Sequence, residues 1–132
     1  MSVTIDTSAL LAVLLNESHK PELVRLTEQE DLIAPQSLDA ELGNAVSSML
    51  KRSRISLADS KEVMKLYEQI PIRRTNIRLT EAINLADKLN IYAFEAYFLD
   101  CCLQYQAPLL TLDDKQKKHA RTIGISILEP GK

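Results

Sequence analysis

Four carboxylates stand where apolar segments of this chain end or turn: Asp6 after "VTI", Glu41 in "LDAELGNAV", Glu95 in "YAFEAYFLDCC" and Asp113 after "PLLTL". Asp and Glu present hard oxygen atoms, the ligands that suit Mg²⁺ or Mn²⁺. Carboxylates gathered closely repel one another, and a divalent ion offsets that repulsion. Position alone leaves a plainer reading open, in which these are four ordinary acids at helix starts and strand ends. Other chemistries have less to stand on. His19 and His119 lie far apart in polar surroundings and read as surface residues. Adjacent cysteines on a helix point about 100° apart and do not grip one ion together, so Cys101 and Cys102 read as small buried hydrophobes rather than zinc ligands. There is no G-x-S-x-G elbow and no credible Cys–His pair for a covalent nucleophile.

The stretch around Glu95 also carries Asp100. On a helix the two lie roughly 140° apart and do not share a face. Glu95 falls near the helix start, where the macrodipole favours a carboxylate, and is the better site candidate. Asp100, in mid-helix, reads as a surface or pairing acid. Phe94, Phe98, Cys101 and Tyr105 read as one apolar face. Glu41 flanks a stripe of Leu38, Leu42, Ala45 and Met49, at the boundary of core and solvent, with Asn44 offering a neutral polar group beside it.

Those acids need elements to hold them. "VTI" reads as a strand and "ALLAVLLN" as the helix after it, so Asp6 lies at a carboxyl-terminal strand end, where open parallel sheets place ligands. A short helix over 20–30 precedes a strand, "DLIAP". Helical periodicity follows over 36–50 and 56–70, a weak strand over 72–77, helices over 80–90 (with Thr80 as cap) and 92–106, a strand in "LLTLDD", a short helix over 114–121 and a last strand in "IGISIL". The alternation predicts an α/β fold, one domain over 1–132, with about five short strands and helices on both faces of a mainly parallel sheet.

Eighteen acids against sixteen bases leave a net charge of −2, which carries no global signal for nucleic acid. Basic runs at 51–54, 73–74 and 115–121 read first as solvated faces and second as candidates for a local groove, and Tyr92 and Tyr97 read first as core or edge residues and second as candidates for base stacking. No segment is long enough to span a bilayer and no signal peptide is convincing, so a cytoplasmic protein with no membrane partner is expected.

"VTIDTSALLAVLLNE", "LIAPQSLDAELGNAV" and "NIYAFEAYFLDCCLQYQAPLLTLDD", in that order and spacing, resemble the PIN domain, and within it the small VapC-type toxins of toxin–antitoxin pairs. The resemblance covers essentially the whole chain. It implies a three-layer α/β/α domain acting as a Mg²⁺- or Mn²⁺-dependent ribonuclease, with Asp6, Glu41, Glu95 and Asp113 as the acid set. Asp6 and Glu95 would be the central metal ligands, Glu41 and Asp113 would complete the site, and Thr7, Ser8 and Thr111 would support it. It also implies an RNA substrate, a homodimer and a small antitoxin partner. One position departs from the pattern: the family usually reads "YDAY" where this chain has "FEAY", so Glu95 adds a methylene to an arm that Mg²⁺ geometry constrains tightly. A PIN domain that binds RNA or protein without cutting is therefore the alternative. A phosphoacceptor receiver domain and a haloacid-type phosphatase rank far behind, since "TIDTS" supplies neither paired acids nor a D-x-D start.

Overall fold

The computed structural model describes residues 1–129. Along the chain run β1 (Ser2–Ile5), α1 (Thr7–Leu14), α2 (Lys20–Thr27), β2 (Asp31–Pro35), α3 (Leu38–Lys51), α4 (Leu57–Gln69), β3 (Arg73–Thr75), α5 (Leu79–Leu89), α6 (Ala93–Tyr105), β4 (Leu109–Leu110) and α7 (Asp114–Thr122). The four strands form one parallel sheet in the order β3-β2-β1-β4.

Alternate strand residues face opposite helical layers, as a sheet buried on both sides requires. Val3, Ile5, Ala34 and Leu110 join the core built with α1 to α4. Leu109 packs instead with Leu99 and Cys102 of α6 and Ala120 of α7. The result is the expected three-layer α/β/α architecture. Both cysteines are buried and unbridged, with the Cys101 Sγ 3.6 Å from the Thr4 hydroxyl and 3.5 Å from that of Thr75.

The sheet is shorter than its apolar runs predict. The expected fifth strand contributes one bridge, Ile127 to Leu109, with the Leu109 amide donating to the Ser126 carbonyl at 2.9 Å. Two causes combine. The β4 strand offers only two residues to pair with, and the turn through Gly124 (φ 81°) sends Ile125 into the core beside α6 and α7.

Helix faces also shift. In α3 the buried residues are Leu38, Leu42 and Val46, a strict four-residue step, and Ala45 and Met49 are only half-buried. In α6 the buried face is Ala96, Phe98, Leu99, Asp100, Cys101 and Cys102, while Phe94 is 53% exposed. The α5 helix begins before Thr80, with Arg78 at its cap position.

Candidate active site

Four helices begin at the carboxyl edge of the sheet, and each carries one of the four candidate acids at its cap or in its first turn. Asp6 is the N-cap of α1 and Asp113 the N-cap of α7; Glu41 and Glu95 lie in the first turns of α3 and α6. Helix N-termini carry unpaired N–H groups and partial positive charge, so each acid is favoured where it stands. Strand order reverses between β1 and β4, which opens the crevice into which Asp6 and Asp113 project from the two strand ends.

Asp6 is the most deeply held, only 7% exposed. Its Oδ1 accepts from the Ser8 hydroxyl at 2.7 Å and from the Ala9 amide at 3.1 Å, and its Oδ2 accepts from the Thr111 hydroxyl. The same hydroxyls fasten the loop after β4: the Leu112 amide donates to Ser8 Oγ and the Asp113 amide to Thr111 Oγ1, both at 3.0 Å. Burial pushes the Asp6 carboxyl above its ordinary range, partly opposed by the Thr111, Ser8 and Ala9 hydrogen bonds and reinforced by the charge of Asp113.

Glu41 accepts from the Ser37 hydroxyl at 2.9 Å. Burial is the main cause that pushes its carboxyl up to about 7, and the charges of Asp6 and Glu95 add to the rise. Glu95 reaches back to the start of its own helix, where Oε2 accepts from the Tyr92 amide at 3.1 Å. The exposed Asp113 carboxylate accepts from the Lys115 amide at 2.9 Å and the Gln116 amide at 3.4 Å.

All four acids, with Thr7 and Ser8, line one cleft of about 140 Å³ backed by Phe98. An adjoining groove of about 500 Å³ is lined by Thr7, Glu41, Asn44 and Phe94. So Asp6, Glu41, Glu95, Asp113, Thr7 and Ser8 come together; Thr111 stands behind Asp6, and Asn44 faces the neighbouring groove. Asp100 is separate: it is buried and paired with Arg78. Sequence reasoning missed Gln116, which also lines the cleft from α7 and is 4% exposed. Its only signal is a four-residue step to the buried Ala120 within an otherwise polar run.

Among the described residues, no three His, Cys, Asp or Glu side chains close on a common point as ligands of one metal ion. Each acid is turned toward the start of its own helix. The donor chemistry nevertheless suits a hard divalent cation. Two residues that line the cleft, Thr7 and Gln116, each bury an oxygen, Oγ1 and Oε1, without a hydrogen-bond partner among the described residues. The mutual repulsion that raises Glu41 is of the kind a cation relieves.

The basic runs divide. Arg73 pairs with Asp31 at 2.8 Å and Arg74 with Asp39 at 2.9 Å, while Lys117 and Arg121 share Glu129. Lys51 lies about 15 Å along α3 from Glu41, at the opposite end of that helix. Lys115, exposed and just past Asp113, is the basic residue nearest in sequence to the acids.

Among the described residues, no helix is long and apolar enough to cross a membrane. Ribonuclease VapC9 of Mycobacterium tuberculosis and a VapC ribonuclease of Mycobacterium bovis are each 22% identical to this chain over 116 residues, covering 84% of it and 85% of their own length. Of solved structures, PAE2754 from Pyrobaculum aerophilum matches with a TM-score of 0.69 at 19% identity, over 93% of this chain and 95% of that one. Mycobacterium tuberculosis VapC20, described as a sarcin-ricin loop cleaving toxin, matches with a TM-score of 0.67 at 10% identity, over 97% and 99%. The PIN domain family matches residues 3–122, a span that takes in all four acids and every helix described, and the chain belongs to that family.

Proposed function

We propose that this protein is a divalent-metal-dependent endoribonuclease, the toxin of a toxin–antitoxin pair. The observation that carries the reading is the convergence of Asp6, Glu41, Glu95 and Asp113 on one cleft at the point where strand order reverses. Asp6 and Glu95 are the central ligands for Mg²⁺ or Mn²⁺, and Glu41 and Asp113 complete the set. A cation bound there supplies a water of lowered pKa and charge stabilisation at phosphorus. The chain's own residues do the positioning. Ser8, Thr111 and the Ala9 amide fix the Asp6 carboxylate from both sides, so that it does not swing.

A polyanion also needs cations and faces on the rim. Lys115 is suited to a phosphate contact, which gives affinity with little sequence information. Phe94 lines the groove beside Glu41 with half its surface exposed, and Tyr92 is 85% exposed on the same helix start; both suit an unstacked base of single-stranded RNA. Similarity to VapC ribonucleases supports a homodimer, a small antitoxin partner and a cytoplasmic site of action. Apolar side chains left exposed on α4 and α5, among them Leu57, Leu66, Leu79 and Ile83, are consistent with such interfaces.

The second reading, a PIN domain that binds without cutting, draws on one observation: Glu95 commits its carboxylate to the Tyr92 amide, and among the described residues no three of the acids lining the cleft close on one point as ligands of a single ion. The deciding experiment is cleavage of a panel of structured RNAs by antitoxin-free protein with Mg²⁺, Mn²⁺ or EDTA, beside Asp6→Asn. Cleavage that needs metal and disappears in the variant supports the nuclease. Metal binding and RNA binding without cleavage, unchanged by Glu95→Asp, support the binding module.

A further inference from the structure

We infer that Gln116 is a positioning residue of the acid cleft, bracing the first turn of α6 that carries Glu95; this rests on the metal-dependent reading above. The α7 helix is polar along most of its length, yet it buries Gln116 to 4% exposure alongside Ala120. Burying an amide is unfavourable unless its polar atoms are met. One is: Nε2 donates to the Glu95 carbonyl at 3.1 Å. That bond fixes the orientation of the amide, because a carbonyl only accepts and the nitrogen must face it. The oxygen is thereby held in the other direction. It is buried, it has no hydrogen-bond partner among the described residues, and its side chain lines the cleft with all four acids.

Packing alone does not call for an amide here. Methionine fills the same length without leaving an acceptor unmet. The backbone of Gln116 adds a second tie, its amide donating to Asp113 at 3.4 Å. One residue thus links the helix starts that carry Glu95 and Asp113. Partners that hold a ligand-bearing element in place are worth about tenfold or more in metal affinity.

The test uses Mn²⁺ alone as the probe. Its affinity is measured by titration calorimetry and by the paramagnetic resonance signal of unbound Mn²⁺, for the full chain, Asp6→Asn, Gln116→Met and Gln116→Asn, with thermal unfolding of each. Asparagine keeps the amide but is one methylene too short to hold the Glu95 carbonyl. The expected result is loss of Mn²⁺ binding in Asp6→Asn and about tenfold or greater weakening in each folded Gln116 variant. Wild-type Mn²⁺ affinity in either folded Gln116 variant, with binding lost in Asp6→Asn, overturns the role of Gln116 and leaves the metal cleft standing. Absence of Mn²⁺ binding in the wild type, or its retention in Asp6→Asn, overturns the metal cleft and the inference with it. Should Gln116→Met fail to fold, Gln116→Asn decides.

Discussion

Arg78 grips Asp100 with two hydrogen bonds, Nε to Oδ2 at 3.0 Å and Nη2 to Oδ1 at 2.5 Å. The carboxylate is 4% exposed, and Arg78 is the residue at which α5 begins, so the pair joins the start of that helix to the middle of α6. A forked, charge-assisted contact of this kind is strong, and removing one partner leaves a buried charge unmet. Arg78→Met is expected to lower unfolding free energy by about 3 kcal/mol, and the double change with Asp100→Leu to recover a large part of it. Urea denaturation of the three proteins checks this. Neither residue lines the acid cleft, so cleavage per folded molecule should be unchanged.

Glu95 has the opposite profile. Its carboxylate serves both the cleft and the Tyr92 amide. Glutamine at this position keeps an acceptor for the helix start but removes the charge. Glu95→Gln is therefore expected to stay within about 0.5 kcal/mol of wild-type stability while losing cleavage by about a hundredfold or more. Unfolding curves and kcat/KM measured side by side separate the two effects. Equal losses of both would mark Glu95 as a helix cap alone.

Much of the site is legible because its acids follow abrupt ends of apolar runs. Asp6 after "VTI" and Asp113 after "PLLTL" had few other places to be, and the separation of Glu95 from Asp100 follows from helical geometry. What escaped depends on neighbours distant in sequence. Gln116 sits in "DDKQKK", which reads as a solvated face until α6 packs over it. Asp100, read as a surface or pairing acid, does pair, but in the interior, with an arginine 22 residues away. The run 123–128 has strand composition, yet a strand needs a partner, and β4 is two residues long. Phe94 and Tyr105 fit an apolar stripe on paper. The broad contact of α6 with the sheet instead favours Ala96, Leu99 and Cys102.

Glu41 makes stability depend on pH. Its carboxyl is raised from an ordinary 4.5 to about 7 in the folded chain, chiefly by burial. Below the ordinary value both folded and unfolded states hold the proton. Between pH 4.5 and 7 the unfolded state ionises first, so folding loses stability as pH rises, and above 7 the loss is complete. For a half-buried group screened by solvent the loss is about 1–2 kcal/mol. In EDTA, wild-type protein should therefore weaken by that amount relative to Glu41→Gln between pH 4.5 and 8, as read by denaturant unfolding. Adding Mg²⁺ should restore more stability at pH 8 than at pH 5, because the cation binds the ionised acids.

Phe94 tests the substrate. Its ring packs at 84° to that of Tyr97, with centroids 5.9 Å apart, and Phe94 lines the groove that also contains Glu41 and Asn44. Being 53% exposed, it contributes little to the core, and Phe94→Ala should unfold within about 0.5 kcal/mol of wild type. Stacking of one base on an aromatic ring is worth about 1–3 kcal/mol. If an unpaired base rests there, the alanine variant should raise KM for a single-stranded target by roughly tenfold and leave kcat nearly unchanged, because the ring touches the base and not the reacting phosphate. Phe94→Tyr should behave as wild type. An equal fall in kcat, with KM unmoved, would instead make Phe94 a wall of the cleft rather than a seat for RNA.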